Sequence, residues 1–388
     1  MQSRTLKEIR EHIPDSLFVR NTARSLRYLA RDLLLATVLA FYGSKIDPVF
    51  LALREQQTLP MPIIVACKWI CWMAYWWFQG LVFTGLWVVG HECGHMAFSP
   101  NKVVCDIVGF TIHTLLWTPY FSWKIVHHRH HSHHASMEHD EVYIPKTRSD
   151  LGIPPDATGS DLGEYIQDTP IYTLFMLIRQ QILAFPAYLL FNVSGQKNYP
   201  KYSNHFNPNA IMFTPTQRNA VLMSNVGILG MMAACYYAKT LFGVMPVLKL
   251  YGIPWLLVTH WFIMITYLHH TDLSLPHYRN TLWNYQRGAA STCDRDFLGW
   301  QGRFFLHDVA HYHVIHHFFP KMPFYHGESA TRYLKELLGP HYHRSTDPVF
   351  LVLWKNYNSC QFVDDEGDVL FYRDRQGSAR FEYTPRNT

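Results

Sequence analysis

Residues 63–95 read IIVACKWICWMAYWWFQGLVFTGLWVVGHECGH. From Ile63 to Val89 the stretch is long, apolar and rich in tryptophan, and a bilayer crossing needs about 20 such residues. It runs directly into His91 and His95, and on a helix that H-x-x-x-H spacing puts two imidazoles on one face, a turn apart. A membrane span that ends in two metal-ligand side chains sets the terms on which the rest of the chain is read.

Three more runs have span length: Leu33–Leu53, interrupted by Lys45 and Asp47, then Ala220–Lys239 and Met245–Leu268. Val103–Trp123 and Tyr172–Val193 carry His, Arg, Gln or Pro within them and suit helices lying at the interface or buried against protein. The expected fold is an all-α integral membrane protein. Its four transmembrane helices cover about 33–53, 63–89, 220–239 and 245–268. Segments 90–219 and 269–388 form a helical cap, and residues 1–32 lead in. Composition agrees. Charged residues are 16% against roughly 25% in soluble domains, and hydrophobic residues at 48%, with aromatics at 15%, exclude disorder. The mean hydropathy of −0.08 averages oily runs with a histidine-rich, polar remainder.

Four crossings put both termini on one side. Residues 1–32 hold seven Lys/Arg, whereas the presumed outer connections hold only Arg54 and Lys249, so the positive-inside rule makes the termini and the cap cytosolic. The opening MQSRTLKEIREHIPDSLFVRN has no apolar core, so no cleavable signal peptide is expected. It reads as a short amphipathic helix ending near Pro14. The net charge of +5 comes without a Lys/Arg-rich stripe, which favours an anionic lipid surface over nucleic acid. Seven cysteines, an odd number with no C-x-x-C pair, point to reduced thiols. The tail from Phe350 to Tyr383 is expected to form a small strand pair.

The 24 histidines carry the chemistry, and ten of them lie between His91 and His139. His127, His130 and His131 form H-x-x-H-H, and His313, His316 and His317 repeat it far downstream; His269 and His270 end the last apolar run. By the topology above every cluster falls on the cytosolic side. One zinc takes four ligands, or three and a water, so this set exceeds a tetrahedral site twice over and suits two ions of higher coordination number. Imidazole accepts iron, copper and zinc alike, and redox chemistry at a membrane argues for iron. Glu92, Glu138, Asp140, Glu141, Asp294 and Asp308 are the nearby carboxylates that could orient the rings. His128, His133, His134 and His139 crowd the second cluster and are read as bystanders more than ligands. Two other readings compete. His91-Glu92-Cys93-Gly94-His95 matches the zinc-protease motif H-E-x-x-H, but a protease has no use for the later clusters. A metal transporter would place ionisable groups inside its spans, which here are nearly free of them apart from His260.

WVVGHECGHMAFSP, TPYFSWKIVHHRHHSHHASMEHDEVYIP, ITYLHHTDLSLPHY, RGAASTCDRDF and HVIHHFFPKMPFYHGESAT together resemble the microsomal oleate Δ12 fatty-acid desaturase family, over nearly the whole chain. The resemblance implies an endoplasmic-reticulum acyl-lipid desaturase with two irons, using O2 and electrons from NADH through cytochrome b5 reductase and cytochrome b5. No His-Pro-Gly-Gly haem motif occurs, so that cytochrome is expected to be a separate partner. It implies as ligands His91, His95, His127, His130, His131, His313, His316 and His317, with His270 as the ninth. The chain departs from the family at His269, where Gln is usual, at Met96, at His311, where an acidic residue is common, and at Pro320. Relatives altered beside the boxes include hydroxylases, epoxygenases, conjugases and acetylenases, so Glu92, Asp140, Asp294, His311 and Pro320 are candidates for supporting the ligands or tuning the outcome.

Overall fold

The computed structural model describes residues 5–57, 59–155, 157, 161 and 169–383. Helix α1 (Leu6–His12) ends before Pro14, as its sequence indicates, and starts at a capping box between Thr5 and Glu8. Helices α2 (Thr22–Glu55) and α3 (Met61–Gly94) are each 34 residues long. At 1.5 Å per residue each is about 50 Å long and outruns a ~30 Å hydrocarbon core by several turns. Asp47, which interrupts the α2 apolar run, is partnered: it lies 2.9 Å from Lys68 Nζ and 2.7 Å from Lys249 Nζ, and accepts from Trp72 Nε1 at 3.1 Å.

The run 103–123 is two helices rather than one. Helix α4 (Lys102–Leu115) starts at Asn101, whose side chain accepts from Val103 and Val104, and α5 (Tyr120–His133) begins after Pro119. The break falls at Leu116–Pro119 because Trp117 takes φ 57° and proline restricts the residue before it. Helix α4 lies back along α3, with His113 Nε2 donating to the Trp87 carbonyl at 3.1 Å. Gly90 permits that approach: a Cβ there would stand 2.2 Å from the His113 ring.

Helix α6 (Pro170–Phe191) packs on α9 and ends at Asn192 in the left-handed region. Helix α7 (Arg218–Phe242) ends at Gly243, and α8 (Val244–Val247) runs through a π turn (Leu248–Gly252) into α9 (Ile253–His270). Five helical stretches among the described residues are long and apolar enough to cross a membrane: Thr22–Glu55, Met61–Gly94, Pro170–Phe191, Pro215–Phe242 and Val244–His270. The sequence reading gives four of these and places the α6 stretch at the interface or against protein.

Past α9 the elements are short: β1 (His277–Tyr278), α10 (Tyr285–Ala290), β2 (Cys293–Arg295), α11 (Trp300–Phe305), α12 (His313–Phe318), α13 (Gly327–Leu338), β3 (His343–Ser345), α14 (Val349–Ser359) and β4 (Val369–Leu370). The tail does not pair mainly with itself. Strand β4 runs antiparallel to β1, and β2 runs parallel to β3; only the Phe362–Arg373 and Arg373–Ala379 bridges are local to the tail. Three apolar cores hold the site in place. Trp87, Trp123, Tyr120 and Phe185 join α3 to α4, α5 and α6. Trp261, Met264, Phe297 and Phe305 join α9 and α3 to the cap. Ile9, Ile13, Val314, Phe318 and Leu334 clamp α12 between α1, α10 and α13.

Candidate metal centre

Four helices deliver the imidazoles. His91 and His95 come from the end of α3, His127, His130 and His131 from α5, His270 from the last residue of α9, and His313, His316 and His317 from α12. They gather in two sets. In the first, donor atoms of His91, His95, His127, His131 and His316 all lie within 4.8 Å of one another. In the second, His317 is shared by two such groups, one with His130 and His134 and one with His270 and His313. The sets adjoin: the His131 and His317 rings stack at 4.2 Å. Of the pair His269–His270, His270 turns its Nε2 into the cluster, 3.4 Å from that of His313.

The donors are arranged as a metal requires. Nε2 atoms face each other at 3.2 Å in His91/His95, His127/His131 and His313/His317. Two nitrogens bound to one ion at about 2.1 Å stand roughly 3 Å apart. His316 Nε2 is buried with no hydrogen-bond partner in the protein, an arrangement that costs free energy unless something else takes the lone pair. Burial pulls His127, His131, His313 and His317 well below the ordinary imidazole value, and the neighbouring rings push the same way. Neutral rings present free lone pairs.

The carboxylates divide by what they touch. Asp140 Oδ1 accepts from His130 Nδ1 at 2.7 Å, while its Oδ2 takes the Ala135 N–H at 2.9 Å. Burial would raise this carboxyl, but His130 and the Val142 N–H hold it below its usual value. Glu92 Oε1 is 3.4 Å from His91 Nδ1, and Oε2 accepts from the Phe324 N–H at 3.2 Å. It therefore sits behind the His91 ring, at Nδ1, whereas the nitrogen that faces the clustered donors is Nε2. Asp294 accepts from the Val314 N–H at 2.7 Å and from Tyr342, so it anchors the start of α12; burial pushes it up to about 7. His311 faces Asp296 at 3.1 Å and Asp308 at 3.7 Å and belongs to neither donor set. Pro320 stands in the turn leaving α12. Glu138 and Glu141 pair with Arg279 and Arg129.

His134 belongs to the second set, although its sequence setting reads as that of a bystander. The signal was there: His134 follows His130 by four residues, the spacing that joins His127 to His131. His128 is turned away, its Nε2–H donating to the Gly94 carbonyl at 2.8 Å.

A cavity of about 820 Å³ reaches this cluster, with His91, His127, His130, His270 and His313 in one wall. Its other walls are mainly apolar, among them Trp87, Val88, Phe262 and Ile263, and it continues to the exposed Lys146 and Arg179. That is the size of a site for a sizeable organic ligand. An all-nitrogen donor set that fits a metal site, in the wall of a largely apolar cavity beside membrane-length helices, fits a membrane enzyme class acting on an oily substrate.

The chain belongs to the fatty acid desaturase family, whose pattern it matches over residues 69–348. It is 40% identical to a "Delta(12) fatty acid desaturase" of Mortierella isabellina, covering 95% of this chain and 90% of that protein. It is 36% identical to the "Oleate hydroxylase FAH12" of Claviceps purpurea (96% and 81% covered) and 38% identical to the "Fatty acid conjugase FAC2 B" of Calendula officinalis (93% and 90%). It is an oxidoreductase of this family.

Proposed function

We propose that the chain is a di-iron, O2-dependent acyl-lipid desaturase that introduces a cis double bond near the Δ12 position of an oleoyl-type chain. The observation that carries this reading is the apolar cavity ending on five of the clustered imidazoles. Iron with O2 supplies the oxidant for an unactivated C–H bond. In balance, two hydrogens leave the acyl chain, two electrons and two protons are taken up, and O2 becomes two waters. The electrons come from NADH through cytochrome b5 reductase and a separate cytochrome b5.

The protein's own residues do the positioning. Trp87, Val88, Phe262 and Ile263 line the slot and exclude water. Lys146 and Arg179 at its outer part suit an anionic head group. Asp140 holds the His130 ring and Asp294 holds α12, so the donors keep their geometry while the acyl chain enters, and small misplacements of a bound chain change the outcome of such reactions.

In our reading the enzyme sits in the endoplasmic-reticulum membrane with four crossings and cytosolic termini. Helix α6 lies along the membrane surface, because both its ends meet the cap. Thr173 donates to Asn358 of α14 at 3.0 Å, and the Leu189 carbonyl accepts the His205 N–H at 3.0 Å. Its exposed side, Ile171, Leu174, Phe175, Ile178 and Ile182, faces lipid.

The test is expression in a yeast that makes only monounsaturated lipids, with fatty-acid profiling. A new cis diene is expected. A hydroxyl, conjugated or acetylenic product would replace the reaction with a divergent one, as the hydroxylase and conjugase relatives illustrate, and folded, iron-loaded protein with no new acyl product overturns the reading.

A further inference from the structure

The first donor set consists of two i,i+4 pairs and one further ring: His91/His95, His127/His131 and His316. The second set repeats that construction only if His134 is counted, as His130/His134, His313/His317 and His270. Without His134 the second set has four imidazoles.

The local structure makes His134 a donor. It caps α5 with φ −50° and ψ 139°, leaving the helix as its ring turns inward. The ring centroid is 4.4 Å from that of His317, 4.6 Å from His270 and 5.0 Å from His130. Its Nδ1 is 2.8 Å from the Gly288 carbonyl oxygen. A carbonyl can only accept, so Nδ1 carries the hydrogen and Nε2 is left with a bare lone pair. This is how metal-bound histidines are held, the far nitrogen tied to an acceptor that fixes tautomer and ring orientation. Asp140 does the same for His130. The support is built for closeness: Trp283 Nε1 donates to the His134 carbonyl at 2.9 Å, and a Cβ at Gly288 would stand 2.3 Å from that oxygen.

We propose that His134 is a tenth imidazole ligand, giving the second metal the same five-histidine shell as the first. The proposal rests on the reading of the histidine clusters as a two-metal centre. It goes beyond the nine-histidine set that the family resemblance implies.

The test uses the full-length protein in detergent, stripped of metal and titrated with ferrous iron or with cobalt(II) alone. His134→Asn keeps a side-chain N–H for the Gly288 carbonyl and removes the ring donor; His134→Gly removes both and opens space for free imidazole. The wild type is expected to take two ions. Both variants should hold the first ion as the wild type does and bind the second at least tenfold more weakly, with the cobalt spectrum of one site altered. Added imidazole should restore the second site in His134→Gly. Wild-type affinity and spectrum in His134→Asn would overturn the proposal, reducing His134 to its bond with Gly288. Should the variants fail to fold, hyperfine-shifted imidazole N–H resonances of the cobalt-loaded wild type decide: ten support the proposal and nine sink it. A wild type that takes fewer than two ions would instead overturn the two-metal reading itself.

Discussion

His130 and Asp140 are locked together: the ring Nδ1 lies 2.7 Å from Oδ1, and both groups are buried. The same carboxylate takes the Ala135 N–H on Oδ2, so neither oxygen can become an amide nitrogen without facing another donor. Asp140→Asn therefore turns the His130 ring or strands the Ala135 amide. We expect metal affinity at the second site to fall about 10–100-fold, measured by titration of the stripped protein, with the first site unaffected.

His269 stands beside the cluster and outside it. Its Nδ1 donates to the Cys293 carbonyl at 2.5 Å, and its ring stacks on His313 at 4.1 Å. A glutamine amide can make the same bond to Cys293. His269→Gln is expected to keep both metals with affinities within about twofold, since a hydrogen-bond donor is replaced in kind. Loss of an ion would exchange the roles assigned to His269 and His270.

Gly85 is where the cap meets α3. A Cβ there would stand 2.1 Å from the Phe305 carbonyl oxygen, a backbone atom that cannot swing aside. Gly85→Ala should cost about 1–3 kcal/mol through overpacking. It would be read as a lower melting temperature in detergent, without a change in metal stoichiometry.

Asp308 gives a pH signature. It sits at φ 59°, and burial pushes its carboxyl up to about 6 against a partial offset from Arg303. With the unfolded value near 3.9, the folded protein binds the proton more tightly, so this group lowers stability as pH rises from about 4 through 6. Asparagine stays neutral and tolerates the left-handed conformation. Asp308→Asn should raise the melting temperature at pH 8, with the gain vanishing toward pH 4; a gain independent of pH would leave only the backbone explanation.

Asn192 opens the sequon Asn192-Val193-Ser194 on the side we assign to the cytosol. It should carry no glycan in a eukaryotic host, checked by endoglycosidase shift. A modified Asn192 would make α6 a crossing and overturn the four-span topology.

Much of this molecule is legible in its sequence because its signals are local. The apolar runs mark α2, α3, α7 and α9, and Pro14 marks the end of α1. The histidine spacings show which rings share a helix face. What is not legible depends on contacts between distant segments. The break between α4 and α5 turns on one left-handed residue, Trp117. Strand β4 finds β1 instead of its own neighbour. Asp47 survives in an apolar helix because Lys68 and Lys249 arrive from other elements. Nothing near His134 in sequence announces that the Gly288 carbonyl, 154 positions on, will fix its tautomer. His311 shows the converse. It departs from the family pattern, yet the structure turns it toward Asp296 and Asp308.

The clustered rings are dealt out along the polypeptide from His91 to His317, with α12 supplying members of both sets. During synthesis, neither set can close until the ribosome has made about four-fifths of the chain and α12 has docked beside α5. A nascent or truncated product that stops before α12 thus has neither set of rings complete. The order of segments along the chain thus sets the order of assembly, and the cluster forms only after all four donor helices exist.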